Sequence, residues 1–296
     1  MNRGGLISFL TNPAFVISVG ASFWGLFWVP LRGAEAAGLG PGWAVAIVIL
    51  PAMVAAALYL AFGPRKQPVD WSRSLVAGVF AGLGFGFYAL GLVTTTVVKA
   101  TLLFYLTPVW TTLIAIFVLS ERPGMHRWIA LSVGICGLAL LVGGEDDASF
   151  SLGVGEMAGL FAGFCWSVSS VALRKAGPQE VHGVMFLMCA VSIAVMAIGS
   201  IVLLKTPFEF EFLYAALDPV TVFFSLMIFG SLISMFWAMG RMSPGRSGLL
   251  MMSEVLVAAF SAAIFIPEET LSVLEWAGAA LIVAAGVVEV TGPSDA

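Results

Sequence analysis

Stretches of about twenty apolar residues recur along this 296-residue chain, separated by short breaks that hold most of its charge. A helix rising 1.5 Å per residue needs roughly 20 such residues to cross about 30 Å of hydrocarbon. Runs of that kind lie at 14–34, 42–62, 74–93, 96–119, 127–143, 153–173, 183–204, 220–241, 246–266 and 272–290. The breaks include GPRKQPVDW (63–71), SERPGMHR (120–127) and GGEDDASFS (143–151). The break at threonines 94–96 is short, but without it the helix would exceed 40 residues, too long for one bilayer. The pattern predicts an all-α membrane protein with ten transmembrane helices.

Charge placement tests that count. With the N-terminus inside, the inner loops hold Arg3, Arg65, Lys66, Arg73, Arg122, Arg127, Arg174, Lys175, Arg241 and Arg246, and the outer side holds only Arg32, Lys99 and Lys205. Ten against three is a positive-inside bias that predicts both termini in the cytoplasm. A wrong count would have scrambled the alternation. The apolar run from Ala14 to Leu31 exceeds the usual 7–15-residue signal-peptide core, so it reads as a retained span. Composition agrees: 60% of residues are hydrophobic and 10% charged, against about 25% charged in soluble domains. Cys136, Cys165 and Cys189 sit inside apolar runs, which argues against a disulfide framework.

The chain repeats itself. LLFYLTPVWTTLIAIFVLSE (102–121) is echoed 147 residues later by LLMMSEVLVAAFSAAIFIPE (249–268), with Lys99 and Arg246 at the same offset. FYALG (87–91) is echoed by FWAMG (236–240), and the tryptophan–arginine pair Trp24 and Arg32 by Trp166 and Arg174. Two five-helix repeats follow, at 1–143 and 152–296 with an outer linker at 144–151. Five is odd, so the second repeat enters the membrane inverted, an arrangement that marks many secondary transporters.

The pattern L-x-x-L-x-P-V followed by Leu119 and Glu121, carried by residues 103–121, resembles the signature of the drug/metabolite transporter superfamily in its EamA-domain branch. In the second repeat Met252-Ser253-Glu254-Val255 approximates that motif, with valine where the family has proline, which removes the ground for a second kink there. Through YLTP at 105–108 and the tryptophans of spans 1 and 6, the chain looks most like YddG-type amino-acid exporters. The resemblance implies ten helices, alternating access, and a bacterial inner-membrane location.

Polar and aromatic positions single out the centre. Spans 2, 5, 7 and 10 are almost uniformly apolar, while spans 1, 3, 4, 6, 8 and 9 carry most mid-span polar groups. Lipid penalises such groups unless they face protein or water, so these six should enclose the transport path. Glu254 lies about eight residues, roughly 12 Å, into span 9. A carboxylate there costs about 2.5–3.5 kcal/mol on insertion scales and must be protonated, paired or wet. It reads as a ligand for an ammonium group, a proton-coupling site, or a structural acid. Trp24, Tyr88, Tyr105, Trp166 and Trp237 are candidate walls, and Thr107 is the first-repeat counterpart of Glu254. Pro108 frees the Phe104 carbonyl and is a candidate hinge; Lys99 and Arg246, at helix starts, are candidate gates or snorkelling anchors. Glycines 78, 82 and 86, and 155, 159 and 163, read as close packing.

Other signals fail. GVGEMAG (153–159) lacks dinucleotide spacing, there is no P-loop, His126 and His182 lack metal-ligand spacing, and the acidic run 145–147 has no partner cluster. No cofactor, metal or nucleic acid is expected. The leading expectation is a secondary exporter of small neutral metabolites, amino acids with apolar side chains foremost, with proton coupling open. A broad exporter of lipophilic compounds is the alternative. A membrane enzyme would need paired acids or a nucleophile–base set in the core.

Overall fold

Helix starts are written into the sequence as caps. Asn12 accepts the Ala14 amide on its side chain at 2.9 Å, and Pro13 follows with no N–H to leave unpaired. Asp70 accepts the amides of Ser72 and Arg73, and Asp218 those of Val220 and Thr221. Ser272 and Glu275 cap one another reciprocally.

The computed structural model describes residues 10–64, 69–95, 97–142, 153–178, 180–265 and 272–292. Arg3, Arg65, Lys66, Thr96, the linker at 144–151 and the chain's two ends lie outside the described residues. The described residues are all-helical: α1 (Pro13–Trp24), α2 (Trp28–Ala36), α3 (Pro41–Phe62), α4 (Trp71–Thr94), α5 (Val97–Phe104), α6 (Thr107–Leu119), α7 (Met125–Val142), α8 (Val154–Ala176), α9 (His182–Val202), α10 (Glu211–Ala216), α11 (Pro219–Met239), α12 (Pro244–Met251), α13 (Ser253–Phe265) and α14 (Val273–Thr291). Among them, nine segments are long and apolar enough to cross a membrane. A shorter apolar helix, Met125–Leu141, occupies the place of the expected fifth span.

The spans alternate between two ends of the bundle. At one end Tyr59 stacks on His182, Arg73 reaches the carbonyl of Ala176, and Arg127 meets Glu289. At the other, Trp43 donates to the carbonyl of Thr206 and Thr95 donates to Glu156. α1 therefore starts at the first end and α8 at the second, so the two repeats run in opposite senses.

Packing obeys the same exchange. α4 packs on α8 as α11 packs on α1, and α3 packs on α9 while α7 packs on α14. The glycine ladders permit it. Gly78, Gly82 and Gly86 lie against Leu187, Val191 and Val195 of α9, and Gly155, Gly159 and Gly163 against Thr95, Ala100 and Phe104. Small residues let backbones approach, which supplies association where lipid removes the hydrophobic driving force.

One expectation needs correction. Spans 5 and 10 are not uniformly apolar inside: Arg127 on α7 and Glu289 on α14 are each only 2% exposed and form an ion pair at 3.1 Å. The two are separated by 162 residues, and each offsets the cost of burying the other's charge.

Candidate functional site

Three spans break near the middle of the bundle. Between α1 and α2, residues 25–27 turn through three-residue-spaced hydrogen bonds, Gly25 to Ser22, Leu26 to Phe23 and Phe27 to Trp24. Between α5 and α6, the amide of Leu106 reaches Leu103 and that of Val109 reaches Leu106. Between α12 and α13, Met252 reaches Leu249 and Val255 reaches Met252. This last break occurs although valine stands where the family motif has proline. A side chain that blocks no hydrogen bond can still sit at a break, and here the α1–α2 turn packs beside it, with Gly25 against the Glu254 carbonyl.

The breaks surround a small cavity lined by Trp24, Phe85, Tyr88, Phe104, Trp166, Leu232, Met235, Met251 and Glu254. Those residues come from spans 1, 3, 4, 6, 8 and 9, the six picked out by their polar and aromatic content. Its volume is about 20 Å³, room for one small polar group. Its walls are rings in contact: Trp24 meets Phe85 edge-on at 5.1 Å, and Tyr88 stacks on Phe104 at 4.3 Å.

Polar atoms at this centre are few and mostly unsatisfied. Glu254, second residue of α13, is the one carboxylate in the cavity lining, and no ion pair reaches it among the described residues. Tyr105 lies against it, though its hydroxyl closes no hydrogen bond of ordinary geometry. The indole N–H groups of Trp24 and Trp166 are buried and also lack a hydrogen-bond partner in the described structure. Buried indole N–H groups ordinarily find an acceptor. The centre thus offers one carboxylate and three donors set in an aromatic wall.

Of the residues expected to bind, Trp24, Tyr88, Trp166 and Glu254 line the cavity and Tyr105 abuts it. Thr107 and Trp237 are not in its lining. The Thr107 hydroxyl donates to the Phe104 carbonyl, the group that Pro108 leaves without its helical amide. The Trp237 ring lies under the Arg241 guanidinium at 4.3 Å. Lys99 and Arg246 are far apart in role: Lys99 stands near Glu156 at one end, and Arg246 donates to the Val290 carbonyl at the other. Pro108 sits in the first turn of α6, beside the break.

A second, wider space opens at the end where α1 begins. Its volume is about 640 Å³, and Asn12, Glu121, Arg127, Arg174, Lys175, Arg241, Arg246 and Glu289 contribute its polar lining. Spans 1, 4, 6, 8 and 9 contribute to both spaces, so the vestibule and the cavity share walls. Sequence reasoning missed Phe85, Phe104 and the Arg127–Glu289 pair. A glutamate inside the apolar run VVEV (287–290) was the available signal.

The model of the EamA-like transporter family matches residues 12–143 and again 153–290. The chain belongs to the EamA-like transporter family. A solved crystal structure aligns with 94% of this chain and 98% of its own, at 21% identity and a TM-score of 0.72, which speaks to the shared fold alone. No curated protein matches the chain. As an EamA-like protein it is an integral membrane transporter, and its cargo is a small molecule.

Proposed function

We propose that this EamA-like protein exports small zwitterionic metabolites, amino acids with apolar side chains foremost, by alternating access around the Glu254 cavity. The observation that carries the reading is a carboxylate with no ion pair among the described residues, with Tyr105 against it and two indole N–H groups lacking an acceptor, set in an aromatic wall. A primary ammonium group completes Glu254, a carboxylate accepts from the indole and phenol donors, and an apolar side chain rests on Trp24, Phe85 and Phe104. Ten spans, with both termini on the cytoplasmic side, complete the reading, and the wide vestibule is then the cytoplasmic mouth. In this state the mouth is open and the central walls are closed on each other. The breaks in spans 1, 4 and 9 supply the joints, as discontinuous helices do around mid-membrane sites in other transporters. Proton coupling through Glu254 belongs to the same proposal, and the pH dependence of flux reads it.

The apolar part of the lining, Leu232, Met235 and Met251, favours the second reading, an exporter of lipophilic compounds. Counterflow in proteoliposomes separates them. Labelled phenylalanine and leucine are expected to exchange, and their decarboxylated amines to exchange poorly. If a hydrophobic dye exchanged and no amino acid did, the lipophilic-compound reading would replace this one.

A further inference from the structure

We infer that the wide vestibule is an electrostatic antechamber that concentrates anionic groups, so that the cargo enters with its carboxylate drawn in and cations are held out. The inference deepens the zwitterion reading and rests on it for the identity of the cargo; the potential of the vestibule stands on its own geometry.

Five basic side chains line the space, Arg127, Arg174, Lys175, Arg241 and Arg246, against two acidic ones, Glu121 and Glu289, a formal net charge of +3. Both acids lie near Arg127, Glu289 at 3.1 Å and Glu121 at 3.7 Å, and Glu289 also feels the charge of Arg246. Arg174 and Lys175, at the last turn of α8, form no ion pair with an acid among the described residues. Arg241 is held in place by its stack on Trp237 and by donating to the Trp237 carbonyl at 2.8 Å. Arg246 is tied to the end of α14 through the Val290 carbonyl.

Positive residues at one end of a membrane protein are ordinary on exposed loops, where salt screens them within about 10 Å. These are placed differently. They ring a concave space between the helix ends, with apolar helices behind them, and such a wall focuses the field into the opening. Five of the spans that line the vestibule also line the Glu254 cavity, so the two spaces share walls. A carboxylate-bearing solute is therefore concentrated in a space that shares its walls with the Glu254 cavity, and a cationic dye is repelled from it.

The test reads the potential without any cargo. In a Cys136→Ser background, Ala14→Cys places a thiol in the vestibule wall and Ala36→Cys places one at the opposite end; Cys165 and Cys189 are buried and serve as internal controls by mass spectrometry. Modification rates with an anionic and a cationic methanethiosulfonate are compared in nanodiscs of neutral lipid. The anionic-to-cationic rate ratio is expected to be roughly tenfold or more higher at Ala14→Cys than at Ala36→Cys. Arg174→Gln with Lys175→Gln is expected to remove most of that excess, and so is high salt. Equal ratios at the two sites, or an excess untouched by the double substitution, overturns the antechamber. An excess that vanishes when anionic lipid is added overturns its role toward cargo, because headgroups then occupy the charges. If the excess stands while amino-acid counterflow fails, the zwitterion reading falls and the antechamber remains.

Discussion

Gly25 and Glu254 touch backbone to backbone, although 229 positions separate them and each sits at the break of a different span. A Cβ on Gly25 would come within 2.6 Å of the Glu254 carbonyl oxygen and 2.7 Å of the Ala258 amide nitrogen. Neither atom belongs to a side chain that can swing aside. Gly25→Ala is therefore expected to cost about 1–3 kcal/mol, the usual range for forcing atoms into a packed interior. Thermal unfolding in detergent reads the loss. Unaltered stability would mean the two breaks separate freely and do not brace one another.

Glu254→Gln keeps the shape of the side chain and removes its charge. A charge-assisted hydrogen bond contributes about 1.5–3 kcal/mol, so exchange of a cargo bearing an ammonium group is expected to fall roughly 10- to 100-fold. Any pH dependence of flux is expected to flatten with it. Counterflow across a pH series checks both, and an unchanged rate with an unchanged profile takes Glu254 out of the mechanism.

How much of this was legible beforehand follows from the range of each interaction. The six spans around the cavity were readable because a polar or aromatic residue in an apolar run stands out locally, as Tyr88, Tyr105, Trp166 and Glu254 do. Glycine ladders were readable for the same reason. The break at Met252 was not, because no proline or glycine marks it and the backbone it meets, Gly25, comes from another span. The Arg127–Glu289 pair was hidden too: Arg127 fell at the edge of a charged break and looked like a loop residue. Thr107 aligned with Glu254 in the repeat, but the Phe104 carbonyl, three residues away, claims its hydroxyl.

That claim makes Thr107 and Pro108 a coupled pair. Thr107→Val leaves the Phe104 carbonyl buried without its donor, a loss of about 1–3 kcal/mol. Pro108→Ala restores a backbone N–H in the position that bonds the residue four back. In the Pro108→Ala background, Thr107→Val is expected to cost much less. Thermal unfolding of the two single variants and the double variant measures the coupling; equal costs in both backgrounds would show that Thr107 serves something other than the carbonyl.

Asp218 carries a pH signature outside the membrane. The Thr221 hydroxyl, then the amides of Thr221 and Val220, hold its carboxyl below the usual value. A carboxyl depressed on folding adds stability above its unfolded pKa of about 3.9, and that stability is lost as pH falls through the lower, folded value. Asp218→Ala is expected to cost about 1 kcal/mol near neutrality, a usual figure for a lost N-cap. The gap between variant and parent should narrow below about pH 4. A gap constant from pH 7 to 3 would assign the effect to something other than the ionised cap.

The Arg127–Glu289 pair joins the two repeats at the mouth of the vestibule, and Ser243, just before α12, accepts from the same guanidinium at 2.8 Å. Burying two charges is costly, and their attraction offsets that cost only while both remain. Glu289→Ala or Arg127→Ala alone is expected to lose about 3–5 kcal/mol, whereas Arg127→Met with Glu289→Leu should recover most of it. If the pair also holds the mouth in its open shape, the recovered double variant stays folded but exchanges cargo more slowly, and thiol accessibility at Ala14→Cys changes with it. A double variant as stable and as active as the parent would leave the pair with no role beyond satisfying its own charges.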